Sequence, residues 1–110
     1  MFSIFGFYKF FKITYLQNKK KILHNLIISK KIRGSIIIST EGLNGTISGT
    51  AEDIKFIINK IKKIFKFKDF NSSVISQSVF QPFKKGMIKI KNEVVPMNLK
   101  LSQMIKKKDS

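Results

Sequence analysis

Hydrophobic and polar positions first alternate and then change period. Between residues 2 and 11, Phe5, Phe7 and Phe11 fall out of step with Gly6, Tyr8 and Phe10, the pattern of a strand partly covered on both faces. The spacing then predicts a helix over about residues 15–30, capped by Thr14. Its stripe is Leu16, Ile22, Leu23, Leu26 and Ile27, and the Lys19-Lys20-Lys21 run falls largely outside it. Ser35-Ile-Ile-Ile-Ser39 is a short apolar run that fits a central strand. Glu41 to Gly45 is dense in turn residues, so Asn44-Gly45 reads as a hairpin turn with Thr46-Ile47-Ser48 as the return strand. Gly49 breaks that strand, and Thr50 to Asp53 starts a capped helix with Ile54, Ile57, Ile58, Ile61, Ile64 and Phe65 on one side. Val74, Ser76, Ser78 and Phe80 alternate as a strand, Gln81-Pro82-Phe83 turns the chain, and residues 87–91 alternate again. Asn92-Glu93 reads as a short turn before Val94-Val95.

The order is strand, helix, strand, strand, helix, strand, with an extra terminal strand or hairpin. It predicts an α+β, ferredoxin-like βαββαβ fold: an antiparallel sheet with both helices on one face. Residues 1–100 form this domain, and 101–110, with Lys106, Lys107 and Lys108, read as a basic, flexible tail.

Composition narrows the chemistry. The chain of 110 residues carries 22 Lys+Arg against 6 Asp+Glu, a formal charge of +16. Every one of those cations except Arg33 is Lys, and Ile, Phe and Asn are abundant. Two readings of the charge stand side by side: codon-driven replacement of Arg by Lys, or attraction to a polyanion such as nucleic acid. The absence of Cys excludes disulfides, thiolate metal sites and a cysteine nucleophile, and His24 as the sole histidine leaves no His-rich metal site. No metal or cofactor is expected in this chain. No run reaches the ~18 apolar residues of a membrane span, and the N-terminus lacks a basic leader, so no membrane is expected and the default is a cytoplasmic protein.

Two segments could carry function. In Glu41-Gly42-Leu43-Asn44-Gly45-Thr46 and on to Thr50, glycines permit close backbone approach, and Asn44 and Thr46 can donate hydrogen bonds to a phosphate or RNA backbone. The plainer reading is a tight hairpin leading into a capped helix; no Gly-Lys-Ser/Thr ending makes it a P-loop. Lys84, Lys85, Lys89 and Lys91 come from one turn and the strand after it. Strand alternation places Lys89 and Lys91 on one face, with Ile88 and Ile90 toward the core, so the four could track phosphates or simply line a solvated face. No RNP1 pattern is present, and the N-terminal Phe and Tyr residues read as strand packing before base stacking. His24 reads as a packed or surface residue. Glu41, Glu52, Asp53 and Glu93 show no paired spacing for acid–base work, and no nucleophile, base and orienting group assemble.

Together, Arg33-Gly-Ser-Ile-Ile-Ile-Ser-Thr-Glu-Gly-Leu-Asn-Gly-Thr-Ile-Ser-Gly49 and the later Gln81-Pro-Phe, Lys89, Lys91, Glu93-Val-Val and Met97 resemble the amino-terminal domain of the rhodanese-related tRNA uridine hydroxylases. Tyr8-Lys9-Phe10 also looks like that family's first strand, and the likeness covers about residues 5–98. It implies an acylphosphatase-like domain followed, in the family, by a rhodanese domain with the catalytic cysteine. The full enzyme converts a wobble uridine of tRNA to 5-hydroxyuridine with oxygen. This sequence departs from the pattern in having Lys85 and Lys89 where Arg is usual, Gly86-Met87 for Leu-Lys, and Asn98 for Gly. Lysine keeps the charge but loses the bidentate fork.

The resemblance implies an accessory, tRNA-binding domain that is inactive alone for want of the catalytic cysteine. Lys84, Lys85, Lys89 and Lys91 would contact phosphates, while Glu41, Gly42, Asn44, Gly45 and Thr46 form a motif loop. Its partners would be tRNA and a rhodanese domain, in cis or in trans. The alternative is a structural domain that docks on a rhodanese partner without touching RNA. A small acylphosphatase is the third reading, and no turnover is expected because Arg33 lies in no phosphate loop.

Overall fold

A computed structural model describes residues 1–91. Along the chain run β1 (Phe2–Phe10), α1 (Leu16–Ser29), β2 (Arg33–Ser39), β3 (Gly42–Gly49), α2 (Ala51–Phe65), β4 (Ser72–Ser78) and β5 (Gly86–Ile90). The sheet order is β4-β1-β3-β2-β5. The first four strands pair antiparallel throughout, as expected of the ferredoxin-like arrangement, and both helices cover one face. The fifth strand makes the sheet mixed, because β5 lies parallel to β2. Direction explains this: β4 runs opposite to β2, so a chain that reverses after β4 and crosses to the far edge enters β5 in the sense of β2. The expected tail, the Asn92-Glu93 turn and the motif residues from Glu93 onward lie outside the described residues.

The helix-covered face holds one core. Phe5, Phe7, Ile36, Ile38, Leu43, Ile47 and Ile88 from the strands meet Leu23 and Ile27 of α1 and Ile54, Ile57, Ile61 and Phe65 of α2. The abundance of Phe has a local use. Phe5 and Phe7 stack at 5.1 Å between centroids, both reach Phe70, and the chain continues through Phe67 (4.9 Å from Phe70) to Phe11 and Phe65. Rings in edge-on and tilted contact thus fill the corner where β1 passes the end of α2.

The second helix follows its sequence signals closely. Thr50 is extended (φ −63°, ψ 157°), and its hydroxyl accepts the Asp53 N–H at 3.2 Å. Glu52 and Asp53 sit in the first turn and Lys62 and Lys63 in the last, matching the helix dipole at both ends. Thr50→Ala should therefore cost about 1 kcal/mol in chemical denaturation; an unchanged midpoint would show that the hydroxyl contributes nothing.

The first helix departs from expectation. Thr14 does not cap it: the N-cap position is Tyr15, in the left-handed region (φ 54°), with no side-chain cap. The Thr14 carbonyl instead accepts from the Lys19 ammonium. Of the expected stripe, Leu23 and Ile27 are buried and Leu16 and Leu26 flank the core, whereas Ile22 is 43% exposed.

The hairpin between β2 and β3 turns earlier than Asn44-Gly45 suggests. Ser39 pairs with Gly42, so the turn is Thr40-Glu41, and Asn44-Gly45 lies within β3. Two contacts fix it there. Ser39 Oγ accepts the Glu41 N–H at 3.0 Å, and the chain beyond β1 clamps the turn from outside, Phe11 N–H donating to the Glu41 carbonyl and Ile13 N–H to that of Thr40. A turn at Asn44 would forfeit those bonds and shift the β2–β3 register.

Candidate nucleic-acid interface

The face away from the helices has no described layer over it, and register tells which residues share it, because residues opposite one another in a ladder point the same way. One row across the sheet reads Ser72, Tyr8, Asn44, Ile37, Lys89; the next reads Val74, Gly6, Thr46, Ser35, Met87. The two sequence segments singled out for function therefore meet on one surface. Asn44 and Thr46 lie in its middle, half-buried on β3, with Lys89 at its edge on β5. The segment is not a loop, however. Glu41 belongs to the turn, while Gly42, Asn44, Gly45 and Thr46 are strand residues, Gly42 and Gly45 being buried.

Of the four lysines, Lys89 lies in β5, Lys84 and Lys85 precede that strand and Lys91 follows it. Lys84, Lys85, Lys89 and Lys91 are all exposed, while Ile88 is buried, as alternation requires. Backbone bonds pin this segment to β2 at both ends: Gly34 N–H donates to the Lys85 carbonyl and Lys91 N–H to the Ile38 carbonyl, each at 2.9 Å. From Lys85 to Lys91 the strip is about 20 Å long at strand rise. Beside its start, Gly34, Ser35, Phe83, Lys84, Lys85 and Met87 line a recess of about 210 Å³ on the side of the open face. Arg33 opens β2 nearby, its guanidinium donating to the Phe83 carbonyl at 3.4 Å.

The alternation of β1 divides its aromatic residues between the two faces. Phe5 and Phe7 are core, whereas Tyr8 and Phe10 sit on the open face with centroids 5.3 Å apart, Phe10 being 43% exposed. Tyr8 and Lys89 share a row three strand spacings apart, about 14 Å. The period of two that separates Phe7 from Tyr8 was the available signal.

A second recess, of about 590 Å³, lies where α1 overhangs β5. It is lined by Gln17, Lys20, Lys21 and His24 from the helix and Lys85, Gly86, Met87 and Ile88 from the strand. His24 is half-buried there. Among the described residues no group of three or more His, Asp or Glu could hold a metal ion, and no helix is long and apolar enough to cross a membrane.

Comparison with known proteins agrees with this architecture. A model of the family described as UPF0176 acylphosphatase like domain matches residues 2–94. The tRNA uridine(34) hydroxylase of Pelagibacter ubique (strain HTCC1062) is 58% identical over 107 residues, covering 97% of this chain and 36% of that protein. The chain thus spans about a third of the length of the curated relatives it matches. Among solved structures, acylphosphatase from Bacillus subtilis superposes with a TM-score of 0.56 at 9% identity, over 80% of this chain and 98% of that one. Klebsiella pneumoniae BlrP1 gives 0.64 at 12% identity, over 96% and 28%. At such identities the likeness is one of fold alone. With its motif residues on β3, its basic β5 and its acylphosphatase-like sheet, the chain belongs to the UPF0176 acylphosphatase-like domain family of the tRNA uridine(34) hydroxylases.

Proposed function

We propose that this domain binds tRNA as the accessory amino-terminal part of an oxygen-dependent uridine(34) hydroxylase, holding the RNA for 5-hydroxyuridine chemistry performed elsewhere. The carrying observation is that Lys84, Lys85, Lys89 and Lys91 line one exposed strip beside the open sheet face bearing Asn44, Thr46 and Tyr8. Lysines set on and on either side of one edge strand can follow a phosphate backbone, and the sheet beside them offers polar groups and an aromatic pair to sugars and bases. Binding should weaken with salt, and Lys85→Ala/Lys89→Ala/Lys91→Ala should flatten the plot of log affinity against log salt by about one unit per lost contact. An unchanged slope would remove the phosphate strip from the proposal.

The second reading, docking on a rhodanese domain without RNA contact, is favoured by a different surface. From Asn71 to Phe83 a chain of charge +16 has no charged residue, and β4 lies at the sheet edge with Val74 and Ile75 exposed. Edge strands are commonly guarded by lysine, and this one is not. Tight binding of a separately expressed rhodanese half, with no salt-dependent tRNA binding, would select this reading. Hydrolysis of acyl phosphates is not part of either: Arg33, the sole arginine, opens β2, and the β1–α1 connection carries none.

A further inference from the structure

The α1–β5 groove extends the basic strip around the sheet edge onto the helix side. On α1, Gln17, Lys20, Lys21 and His24 follow the spacing i, i+3, i+4, i+7, so they form one face about 10 Å long. A helix flank that overhangs an edge strand ordinarily closes over it with apolar side chains. Here that flank is polar and cationic, and the groove stays open at about 590 Å³. Its walls carry three lysines, a glutamine and a histidine, no acid among the described residues lines it, and Met87 and Ile88 contribute apolar surface. The acids of the described residues lie elsewhere: Glu41 in the β2–β3 turn, Glu52 and Asp53 at the start of α2, and Asp69 beyond its end. Gly86, at the floor of the groove, packs closely against the chain entering β2 and against Ile27 of α1. A Cβ there would meet the Ile32 carbonyl oxygen at 2.6 Å and Ile27 Cδ1 at 3.0 Å. Lys85 and Met87 line both this groove and the smaller recess on the open face, so the two surfaces are continuous, with Lys85 as the cation they share.

We infer that the α1–β5 groove is a second nucleic-acid contact, which grips the phosphodiester backbone of RNA between Lys20 and Lys21 on one wall and Lys85 on the other. The RNA then wraps the β5 edge, with one stretch of backbone on the open-face strip and another in the groove. This rests on the tRNA-binding reading but does not repeat it, because that reading involves β5 and the open face alone. Ammonium groups supply the sequence-independent attraction, and Gln17 and His24 supply further hydrogen-bonding groups. Apolar surface between them suits the sugar edge of a strand whose charges are held at the walls.

The test compares two charge-matched variants of the full chain. Lys20→Gln/Lys21→Gln removes the helix wall, and Lys55→Gln/Lys63→Gln removes two exposed cations from α2. Unfractionated tRNA is titrated at several salt concentrations, and circular dichroism checks that both variants keep the fold. The groove variant should lose about tenfold in affinity and flatten the salt slope by between one and two units, while the α2 variant changes by less than about threefold. Amide shifts on adding tRNA to the wild-type chain should include Gln17 to His24. Equal losses in both variants would mean that only net charge acts, and would overturn the groove. Binding of tRNA by the wild type with the groove variant unaffected would also overturn it while leaving the open-face reading intact. If the wild type shows no salt-dependent tRNA binding at all, the tRNA-binding reading itself fails.

Discussion

Gly34→Ala should cost about 3–5 kcal/mol, a large share of the ~5–15 kcal/mol that holds a domain folded. Gly34 has φ +112°, a conformation alanine rarely adopts, and a Cβ there would lie 2.2 Å from the Thr46 carbonyl oxygen and 2.8 Å from Ile47 Cα. Both obstacles belong to the backbone of β3, which is central and cannot step aside without breaking its ladders to β1 and β2. The same glycine donates its N–H to Lys85, so strain here also loosens the start of the basic strand. Gly6→Ala is the internal control. A Cβ at Gly6 meets nothing nearer than Thr46 Oγ1 at 3.8 Å, and that substitution should stay within about 0.5 kcal/mol. Urea denaturation of the two variants separates them; equal midpoints would contradict this account of Gly34.

Ile47→Ala should cost about 3–4 kcal/mol by leaving a cavity in the middle of the sheet. Ile47 is fully buried on β3, opposite Phe5 on one side and Gly34 on the other. No partner strand is free to collapse into the space. Ile75→Ala, on the edge strand β4 and 55% exposed, should change stability by less than about 0.5 kcal/mol. Calorimetric unfolding of the pair would reveal a layered core if the gap is present and would refute it if the two variants melt together.

The elements most legible in the sequence are those whose local chemistry agrees with their tertiary setting. α2 shows a capping threonine, acids first and lysines last, and a stripe of Ile and Phe that becomes its buried side. β1 is legible because Phe5 and Phe7 alternate with Gly6 and Tyr8. Asn44-Gly45 is the instructive failure. The dipeptide has strong turn chemistry, but the clamp from Phe11 and Ile13 onto Thr40 and Glu41 comes from residues some thirty positions earlier, and no local reading reaches it. The orientation of β5 was likewise invisible, since Met87 to Lys91 alternates identically in either direction. At the candidate site, alternation places Lys89 and Lys91 outward beside buried Ile88. Lys20 and Lys21 read in sequence as lying outside the apolar stripe and His24 as a packed or surface residue, because without β5 in place a helix flank that lines a groove is indistinguishable from a solvated one.

The parallel fifth strand has a consequence for the order in which the molecule comes together. Among the described residues, every ladder partner of β5 lies some fifty residues upstream, as Ile36 does for Ile88, so its closure entropy comes late and its five residues pair with β2 alone. It should be the last piece of the sheet to zip up and the first to come undone, exchanging its amide hydrogens ahead of β1 and β3. A polyanion lying along it would act as a clasp, slowing that local opening without altering the rest of the domain.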